Sequence, residues 1–294
     1  MTTLENDYLR IDIQWKGAEL ASIYDKTTET EHLWQANPDV WPWHGPNLFP
    51  VVGGCLNNQI VVDGNRYPME RHGFARHSTF DLTDSSETVA RFSLRANEST
   101  LAAYPYQFNY EIWYELEDRL LKVAYRVTNE DDQPIYFSVG AHPAFNVPFY
   151  PDETYEDYYL EFELDEPLER HLLSKEGFFT GETQAVHIHN RRLPLTQDLF
   201  AQDALVFKNL SSRQVTIRSI NHDQIVSVSF LPFNYLGIWA KPGAPFVCIE
   251  PWLGCADTEG RLVDIREKEA IQRVDPGQLF EAAFIVGISP HDAQ

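Results

Sequence analysis

A histidine at the end of a predicted strand is the first side chain placed for proton transfer. The apolar run of residues 135–141 (IYFSVGA) leads into His142 and is stopped by Pro143, which restricts the preceding residue to an extended backbone. An imidazole held in this way can act as a general acid or base near neutral pH. A core histidine hydrogen bonded to backbone groups would give the same pattern, so this run alone leaves both interpretations open.

A carboxylate inside an apolar strand is the second candidate. Glu250 lies in residues 246–252 (FVCIEPW) and is followed by Pro251. Burying a carboxylate without a partner is costly or raises its pKa, and a raised pKa is the property that makes a glutamate a general base. Period-two alternation also allows Glu250 to face solvent, in register with Cys248 and opposite to Ile249, and that alternative stays open.

Residues 69–76 (MERHGFAR) place cations and a histidine on a predicted loop. Arg71 and Arg76 flank His72 and Gly73, and a glycine lets the backbone approach a ligand closely. Arginine makes paired hydrogen bonds to an oxyanion or to neighbouring hydroxyls. The segment is therefore either a site for an oxygen-rich ligand or a turn with solvated charges.

Two histidines two residues apart suggest a metal-binding hypothesis. His187 and His189 would share one face of a strand, but no carboxylate or third histidine follows at a recognisable spacing. We therefore expect both to be exposed, and we expect no metal site. Cys248 and Cys255 are too far apart for a C-x-x-C motif, and buried thiols of this kind are usually inert. The sequence also lacks the G-x-S-x-G, Walker A and Rossmann motifs, so neither a serine nucleophile nor nucleotide binding is supported.

The elements that must position these side chains are antiparallel strands. Apolar and polar residues alternate, as in half-buried strands, in residues 9–15, 108–116, 121–127, 215–217 and 225–230. Turn-forming clusters separate such runs at residues 63–65, 129–134 and 241–243. Helical signals are confined to single turns at residues 99–104 and 174–177. The chain is predicted to be all-β, a large antiparallel β-sandwich in one domain spanning residues 1–294.

Composition narrows the possible partners and the compartment. The 294 residues are 43% hydrophobic, and 44 acidic against 23 basic residues give a formal net charge of -21. This charge repels nucleic acids and anionic lipid surfaces, so we expect neither as a partner. No stretch reaches the roughly 20 apolar residues of a membrane helix, and the first residues have no apolar signal region. Three cysteines fit a reducing compartment, so the sequence predicts a cytoplasmic protein.

Taken in order along the chain, these segments resemble the galactose mutarotase or aldose 1-epimerase superfamily. The resemblance covers nearly the whole chain and rests on residues 50–54 (PVVGG), 57–59 (NNQ), 63–64 (DG), 72–76 (HGFAR), 142–146 (HPAFN), 203–205 (DAL) and 248–252 (CIEPW). Each motif is short, but their fixed order is fairly specific. Within the superfamily the chain is most similar to the uncharacterised branch that is associated with lactose operons.

The resemblance implies a galactose mutarotase-like β-sandwich with few helices and an enzyme that interconverts the α and β anomers of a sugar without a cofactor. It implies that His142 is the acid and Glu250 the base of this ring opening. It further implies that His72 contacts the sugar and that Asp203 holds sugar hydroxyls. The expected partner is a small-molecule sugar, a hexose or a related compound.

Two departures from the family pattern bear on the substrate. Gly54 stands where the related branch has an arginine, and Gln59 follows Asn58 where galactose-specific members have arginine. The loop thus lacks a sugar-binding arginine, and we expect Arg76 to supply part of that function. Arg71 and Arg76 raise the alternative of a hexose 6-phosphate mutarotase, because an arginine of a similar motif binds phosphate in such relatives. A second alternative is a carbohydrate-binding or sensor protein that kept the fold and lost turnover.

Overall fold

A computed structural model of the chain describes residues 1–290 and is built almost entirely from strands. The strands of the first half are β1 (Thr2–Glu5), β2 (Leu9–Ile13), β3 (Leu20–Asp25), β4 (Thr30–Glu31), β5 (Asn47–Leu48), β6 (Gln59–Val62), β7 (Asn65–Pro68), β8 (Asp81–Ser85), β9 (Val89–Arg95), β10 (Phe108–Glu117), β11 (Leu120–Asn129), β12 (Ile135–Phe137), β13 (Val139–Ala141) and β14 (Ala144–Asn146). The strands of the second half are β15 (Tyr158–Phe162), β16 (Leu168–Leu173), β17 (Phe179–Val186), β18 (Arg192–Pro194), β19 (Leu205–Lys208), β20 (Gln214–Ser219), β21 (Gln224–Ser229), β22 (Tyr235–Trp239), β23 (Phe246–Leu253), β24 (Gln272–Val274) and β25 (Leu279–Pro290).

Two large antiparallel sheets make up the β-sandwich. The nine-stranded sheet has the order β18-β15-β20-β21-β25-β11-β10-β9-β8, and the eight-stranded sheet has the order β17-β16-β19-β22-β23-β13-β5 with β14 also paired to β23. A four-stranded sheet (β1 to β4) and two ribbons (β6-β7 and β12-β24) complete the set in the described residues. The predicted all-β sandwich is confirmed.

Side-chain alternation explains how the nine-stranded sheet packs. In β10 the residues Tyr110, Ile112 and Tyr114 are buried, while Trp113 between them lies on the outer face. There the guanidinium groups of Arg91 and Arg126 lie over the Trp113 ring, with their central carbons 4.2 and 4.1 Å from the ring centroid. The inner face therefore supplies the aromatic core, as period-two alternation requires.

The inner faces of the two sheets meet in one core. Phe162 of β15 lies edge-on to Phe207 of β19, with ring centroids 5.9 Å apart. Phe49, which follows β5, stacks on Tyr110 of β10 at 4.3 Å. These contacts join one sheet to the other through rings, and buried aromatic area of this kind dominates core energetics.

Strand β23 is a long strand of which all eight residues are buried. One face packs on the core, while the other carries Cys248, Glu250 and Trp252, and the last two line a cavity. A strand covered on both faces reads as a continuous apolar run, which is why alternation could not assign the direction of Glu250. The alternative in which Glu250 points to solvent is wrong, since only 1% of the residue is exposed.

Most local predictions agree with the structure. Residues 63 and 64 connect β6 to β7, and residues 241–243 lie between β22 and β23. The helical turn expected near residue 99 is helix α1 (Glu98–Leu101), which Asn97 begins with a capping box. Residues 174–177 form a turn closed by a hydrogen bond from the Gly177 N–H to the Ser174 carbonyl (2.9 Å) rather than a helix. No helix within residues 1–290 combines the length and apolar character needed to cross a membrane.

Candidate active site

His142 lies in a short break of a strand that pairs with β23 on both sides. Before the break Gly140 is opposite Trp252, and after it Ala144 is opposite Cys248. The His142 N–H donates to the Pro46 carbonyl (3.1 Å), which fixes the backbone of the break. Because β13 before His142 and β14 after it both pair with β23, the imidazole is placed beside the middle of β23, where Glu250 lies.

The imidazole and the carboxyl approach each other closely in this position. His142 Nε2 is 3.2 Å from Glu250 Oε2, and their side chains are 12% and 2% exposed. The contact lacks hydrogen-bond alignment, because Glu250 Oε2 is among the buried polar atoms that have no hydrogen-bond partner in the described structure. Orphaned buried polar atoms are costly, so this oxygen is available to a ligand.

Burial shifts the two pKa values in opposite directions. Desolvation, with a further contribution from Asp203, raises the pKa of Glu250 well above its usual range. Desolvation lowers the pKa of His142 to about 3. Each shift favours the neutral form, so burial favours the state in which the pair holds one proton, on the carboxyl. Such a pair can give a proton at one atom and accept one at the other.

His72 is held by a strained loop beside this pair. Its backbone has φ of 67°, and its Nδ1 accepts a hydrogen bond from the Gly53 N–H (3.1 Å). The His72 ring lies edge-on to that of His142, with centroids 5.6 Å apart. Burial, followed by the nearby His142, lowers the pKa of His72 well below 6.5. A neutral ring that accepts at Nδ1 carries its proton on Nε2 and can donate it to a hydroxyl.

The pair opens into a cavity of about 520 Å³, within the usual range of roughly 300–1,000 Å³ for small-molecule sites. It is lined by Trp41, Gly53, Arg71, His72, Arg76, His142, Leu173, Gly177, Phe179, Phe200, Asp203, Ala204, Val206, Trp239, Pro242, Glu250, Trp252 and Ala256. The five residues predicted as catalytic or sugar-binding (His142, Glu250, His72, Arg76 and Asp203) all line this one cavity. Their roles in catalysis and binding remain proposals.

Two glycines make room for an aromatic floor. A Cβ at Gly140 would lie 2.7 Å from Trp252 Cδ1, and a Cβ at Gly237 would lie 2.6 Å from Trp252 Cη2. The indole therefore lies flat across β13 and β22, and only 7% of Trp252 is exposed. A flat apolar ring beside polar groups is the usual surface for a pyranose face.

Asp203 and Arg76 bring charges of both signs to the cavity. Asp203 has φ of 71° and accepts a hydrogen bond from the Ala204 N–H (2.7 Å), so its carboxylate is held just before β19. The Arg76 guanidinium lies 5.2 Å from the centroid of the Trp43 ring and donates to the Arg71 carbonyl (2.8 Å). Both side chains are thus positioned by local contacts rather than by each other.

Other aromatic side chains complete the walls of the cavity. Trp239 and Trp252 line it, whereas Phe145, which follows the His142 segment, is fully buried in the core. Trp41, whose ring centroid is 5.0 Å from that of His142, was missed. It lies on an irregular segment with no periodic pattern, so no sequence signal pointed to it.

The histidines proposed as metal ligands lie outside the cavity. His187 and His189 are exposed, as expected. Within residues 1–290 the single group of three metal-ligand types is His142, Cys248 and Glu250, with ligand atoms within 4.8 Å of one another. Burial raises the pKa of the Cys248 thiol as well as that of Glu250. A cation here would have to displace two protons in an apolar site, so these residues fit proton transfer better.

Known proteins resemble this chain in both sequence and structure. A family model described as aldose 1-epimerase matches residues 1–259. The plasmid-borne and chromosomal LacX proteins of Lactococcus lactis subsp. lactis are each 33% identical over 284 residues, covering 93% of this chain and 94% of theirs. A galactose mutarotase related enzyme from Lactobacillus acidophilus has a TM-score of 0.94 and 31% identity, with 100% of this chain and 98% of that chain covered. A galactose mutarotase-like protein from Lactobacillus casei has a TM-score of 0.93 and 33% identity, with 98% and 100% covered.

Proposed function

Because the chain belongs to the aldose 1-epimerase family, we propose that it interconverts the α and β anomers of a hexose or a related sugar. His142 and Glu250 are the two proton-transfer groups of this proposal, and it requires no cofactor. The observation that carries it is the separation of 3.2 Å between His142 Nε2 and Glu250 Oε2 inside a cavity of sugar-binding dimensions.

The reaction needs two proton-transfer groups side by side. Opening a cyclic sugar removes the proton of the anomeric hydroxyl and adds one to the ring oxygen, and both oxygens are bonded to the same carbon. An acid and a base on opposite walls of a cavity could not reach both atoms in one pose. Neighbouring groups such as His142 and Glu250 can, which meets the requirement that geometry comes before pKa.

One proton shared by the pair suffices for the whole cycle. In the ring-closed complex the anomeric hydroxyl donates to the Glu250 carboxylate, which lowers the pKa of that carboxyl and moves the shared proton to His142. Glu250 then takes the hydroxyl proton, His142 protonates the ring oxygen, and the bond between that oxygen and C1 breaks. The open-chain aldehyde therefore faces a protonated Glu250 and a neutral His142, the state that burial favours.

Rotation about the first C–C bond presents the other face of the aldehyde. Neutral His142 takes the proton back from the former ring oxygen as it attacks C1, and Glu250 returns its proton to the anomeric oxygen. The opposite anomer results, and the pair regains its starting protonation. His72 donates from Nε2 to a sugar hydroxyl, Asp203 accepts from others, and the Trp252 indole supports the ring face.

Anomer-exchange NMR on a panel of free aldoses and aldose phosphates tests the proposal. His142→Ala and Glu250→Gln should each lower the enzyme-catalysed exchange rate roughly 10²–10⁴-fold, the usual cost of losing a general acid or base. His187→Ala is the matched control, because this exposed histidine lies outside the cavity, and it should exchange at the wild-type rate. Binding of a sugar without any acceleration would refute the enzyme and favour a sensor protein. Stoichiometric metal in elemental analysis, lost together with activity in His187→Ala, would instead favour a metalloenzyme.

A further inference from the structure

The imidazole of His142 lacks the partner that usually stabilises a charged histidine. In the proposed cycle this ring carries a positive charge while Glu250 is ionised, although the His142 side chain is only 12% exposed. A charged or ligating histidine commonly has an acceptor on its second ring nitrogen. His142 Nδ1 is buried and has no hydrogen-bond partner from another residue in the part of the chain that the structure describes. Stabilisation beyond that from Glu250 must therefore come from the faces of the ring.

The ionisable groups around His142 give the charge little lasting support. Burial and, to a smaller extent, the cationic Arg76 lower the pKa of the imidazole to about 3. His72 is kept neutral by burial, and burial likewise keeps the proton on the thiol of Cys248, which lies within 4.8 Å of a His142 nitrogen. Within residues 1–290 the carboxylate in ion-pair range is that of Glu250. It becomes neutral once it takes the proton of the anomeric hydroxyl.

The indole of Trp41 lies against one face of the imidazole. The two ring centroids are 5.0 Å apart and the ring planes differ by 31°, so the rings are close to parallel. Two other neighbouring rings are close to perpendicular to His142, Trp239 at 5.9 Å and 85° and His72 at 5.6 Å and 80°. A cation within about 6 Å of an aromatic face is attracted by the negative charge of that face, and tryptophan gives the strongest contact of this kind.

The loop that carries Trp41 is fixed through its backbone. The Trp41 carbonyl accepts a hydrogen bond from Trp34 Nε1 (2.9 Å), and the neighbouring Val40 carbonyl accepts one from Lys241 Nζ (2.8 Å). Residues 37–39 of the same loop are exposed, whereas the Trp41 indole reaches into the cavity. The indole face is therefore in place beside His142 without a bound sugar.

We propose that Trp41 is a positioning residue that makes the charged form of His142 accessible during ring opening. The inference rests on the proposed function, in which His142 receives the shared proton when a sugar binds and gives it to the ring oxygen. The indole face attracts the imidazolium far more strongly than the neutral ring. Because burial favours the neutral state of the pair, stabilising the charged state should raise kcat and leave sugar binding nearly unchanged.

Fluorinated tryptophans at position 41, introduced by nonsense suppression, test this contact without removing the ring. Each fluorine withdraws electron density from the aromatic face while the shape of the indole changes little. In anomer exchange, kcat should fall stepwise from none to three ring fluorines, by about 5- to 30-fold in total, while KM stays close to that of the natural side chain. The same series at Trp15, which is 46% exposed, is the control and should leave kcat unchanged. A kcat that does not depend on the number of fluorines at position 41 would overturn the inference.

Two ordinary substitutions separate the aromatic face from simple filling of the wall. Trp41→Leu should lower kcat at least as much as the complete fluorine series, and Trp41→Phe, which keeps a smaller aromatic face, should lie between Trp41→Leu and wild type. Urea unfolding of both variants shows any loss of stability. Equal kcat in the two variants, together with no effect of fluorine, would mean that Trp41 only fills the wall.

Ring ¹⁵N spectra of His142 at neutral pH distinguish this inference from the proposed function. Saturating sugar should move the His142 signals toward the imidazolium position, and the movement should shrink as fluorines are added at position 41. A graded movement of this kind without any anomer exchange would refute the epimerase and keep the role of Trp41. Exchange with His142 signals that do not respond to fluorine would refute the role of Trp41 and keep the epimerase. Neither movement nor exchange with any sugar would refute both.

Discussion

Replacing Glu250 with glutamine should stabilise the protein at alkaline pH while it lowers the proposed anomer-exchange activity. In the folded protein burial raises the pKa of Glu250 and lowers that of His142 to about 3, so the pair holds one proton over a wide pH range. In the unfolded chain the two groups titrate near their ordinary values of 4.5 and 6.5. The stability contributed by the pair therefore depends on pH through the difference in bound protons.

The size and sign of the effect follow from counting protons in three windows. Between pH 4.5 and 6.5 both states hold one proton, on different atoms, and the contribution is flat. Above pH 6.5 the unfolded pair holds no proton, so stability falls by about 1.4 kcal/mol per pH unit for as long as the folded Glu250 keeps its proton. That loss continues until pH reaches the raised folded pKa of Glu250. Below pH 4.5 the unfolded pair holds two protons, so stability falls again as pH decreases toward 3, the folded pKa of His142.

Glutamine removes the alkaline loss because it cannot ionise. Between pH 6.5 and 8.5 the free energy of unfolding of Glu250→Gln should therefore rise relative to that of the wild type, by about 1.4 kcal/mol for each pH unit over which the folded Glu250 keeps its proton. Urea unfolding at several pH values in this range measures the difference. Glu117→Gln, at an exposed position at the end of β10, is the control and should follow wild type. A difference between Glu250→Gln and wild type that does not change with pH would refute the assignment of the shared proton.

One further prediction concerns the wall of the cavity, and another concerns a buried ion pair outside it. Gly237→Ala places a Cβ within 2.6 Å of the Trp252 indole. Steady-state kinetics should show KM raised about tenfold, and urea unfolding should show a loss of about 1–3 kcal/mol of stability. An unchanged KM would argue against Trp252 as the sugar-binding floor. Lys268→Met leaves Asp257 buried without its ion-pair partner; the Asp257 Oδ2 also accepts a hydrogen bond from the Leu56 N–H (2.8 Å). The substitution should lower the free energy of unfolding in urea by about 3–5 kcal/mol. A loss below 1 kcal/mol would show that the pair is not needed for folding.

Local patterns in the sequence predict the strands and the residue types of the site. Period-two alternation defines β10 and β11, and Pro143 marks the end of the strand that carries His142. What alternation could not decide is the direction of Glu250, because β23 is buried on both faces and its sequence has no polar side. The burial that raises the pKa of Glu250 is a property of the assembled sheets, and the apolar run around this residue left burial and exposure both open.

The position of the Arg71 side chain could not be predicted from the sequence for a different reason. Its position depends on Gly177, which is distant along the chain, and on the space left by Gly54. Taken alone, a glycine in place of an arginine indicated a lost contact. The Arg71 guanidinium reaches this loop only when the turn between β16 and β17 is folded against residue 71.

The ladder that joins β13 and β14 to β23 also determines when activity can appear as the chain folds. It brings together segments from the middle and near the end of the sequence, so a large loop must close before His142 and Glu250 meet. Contacts of such high sequence separation are characteristic of slow-folding β proteins. A nascent chain that has not yet synthesised β23 contains His142 without Glu250, so the proposed activity requires that nearly all of the protein has been made.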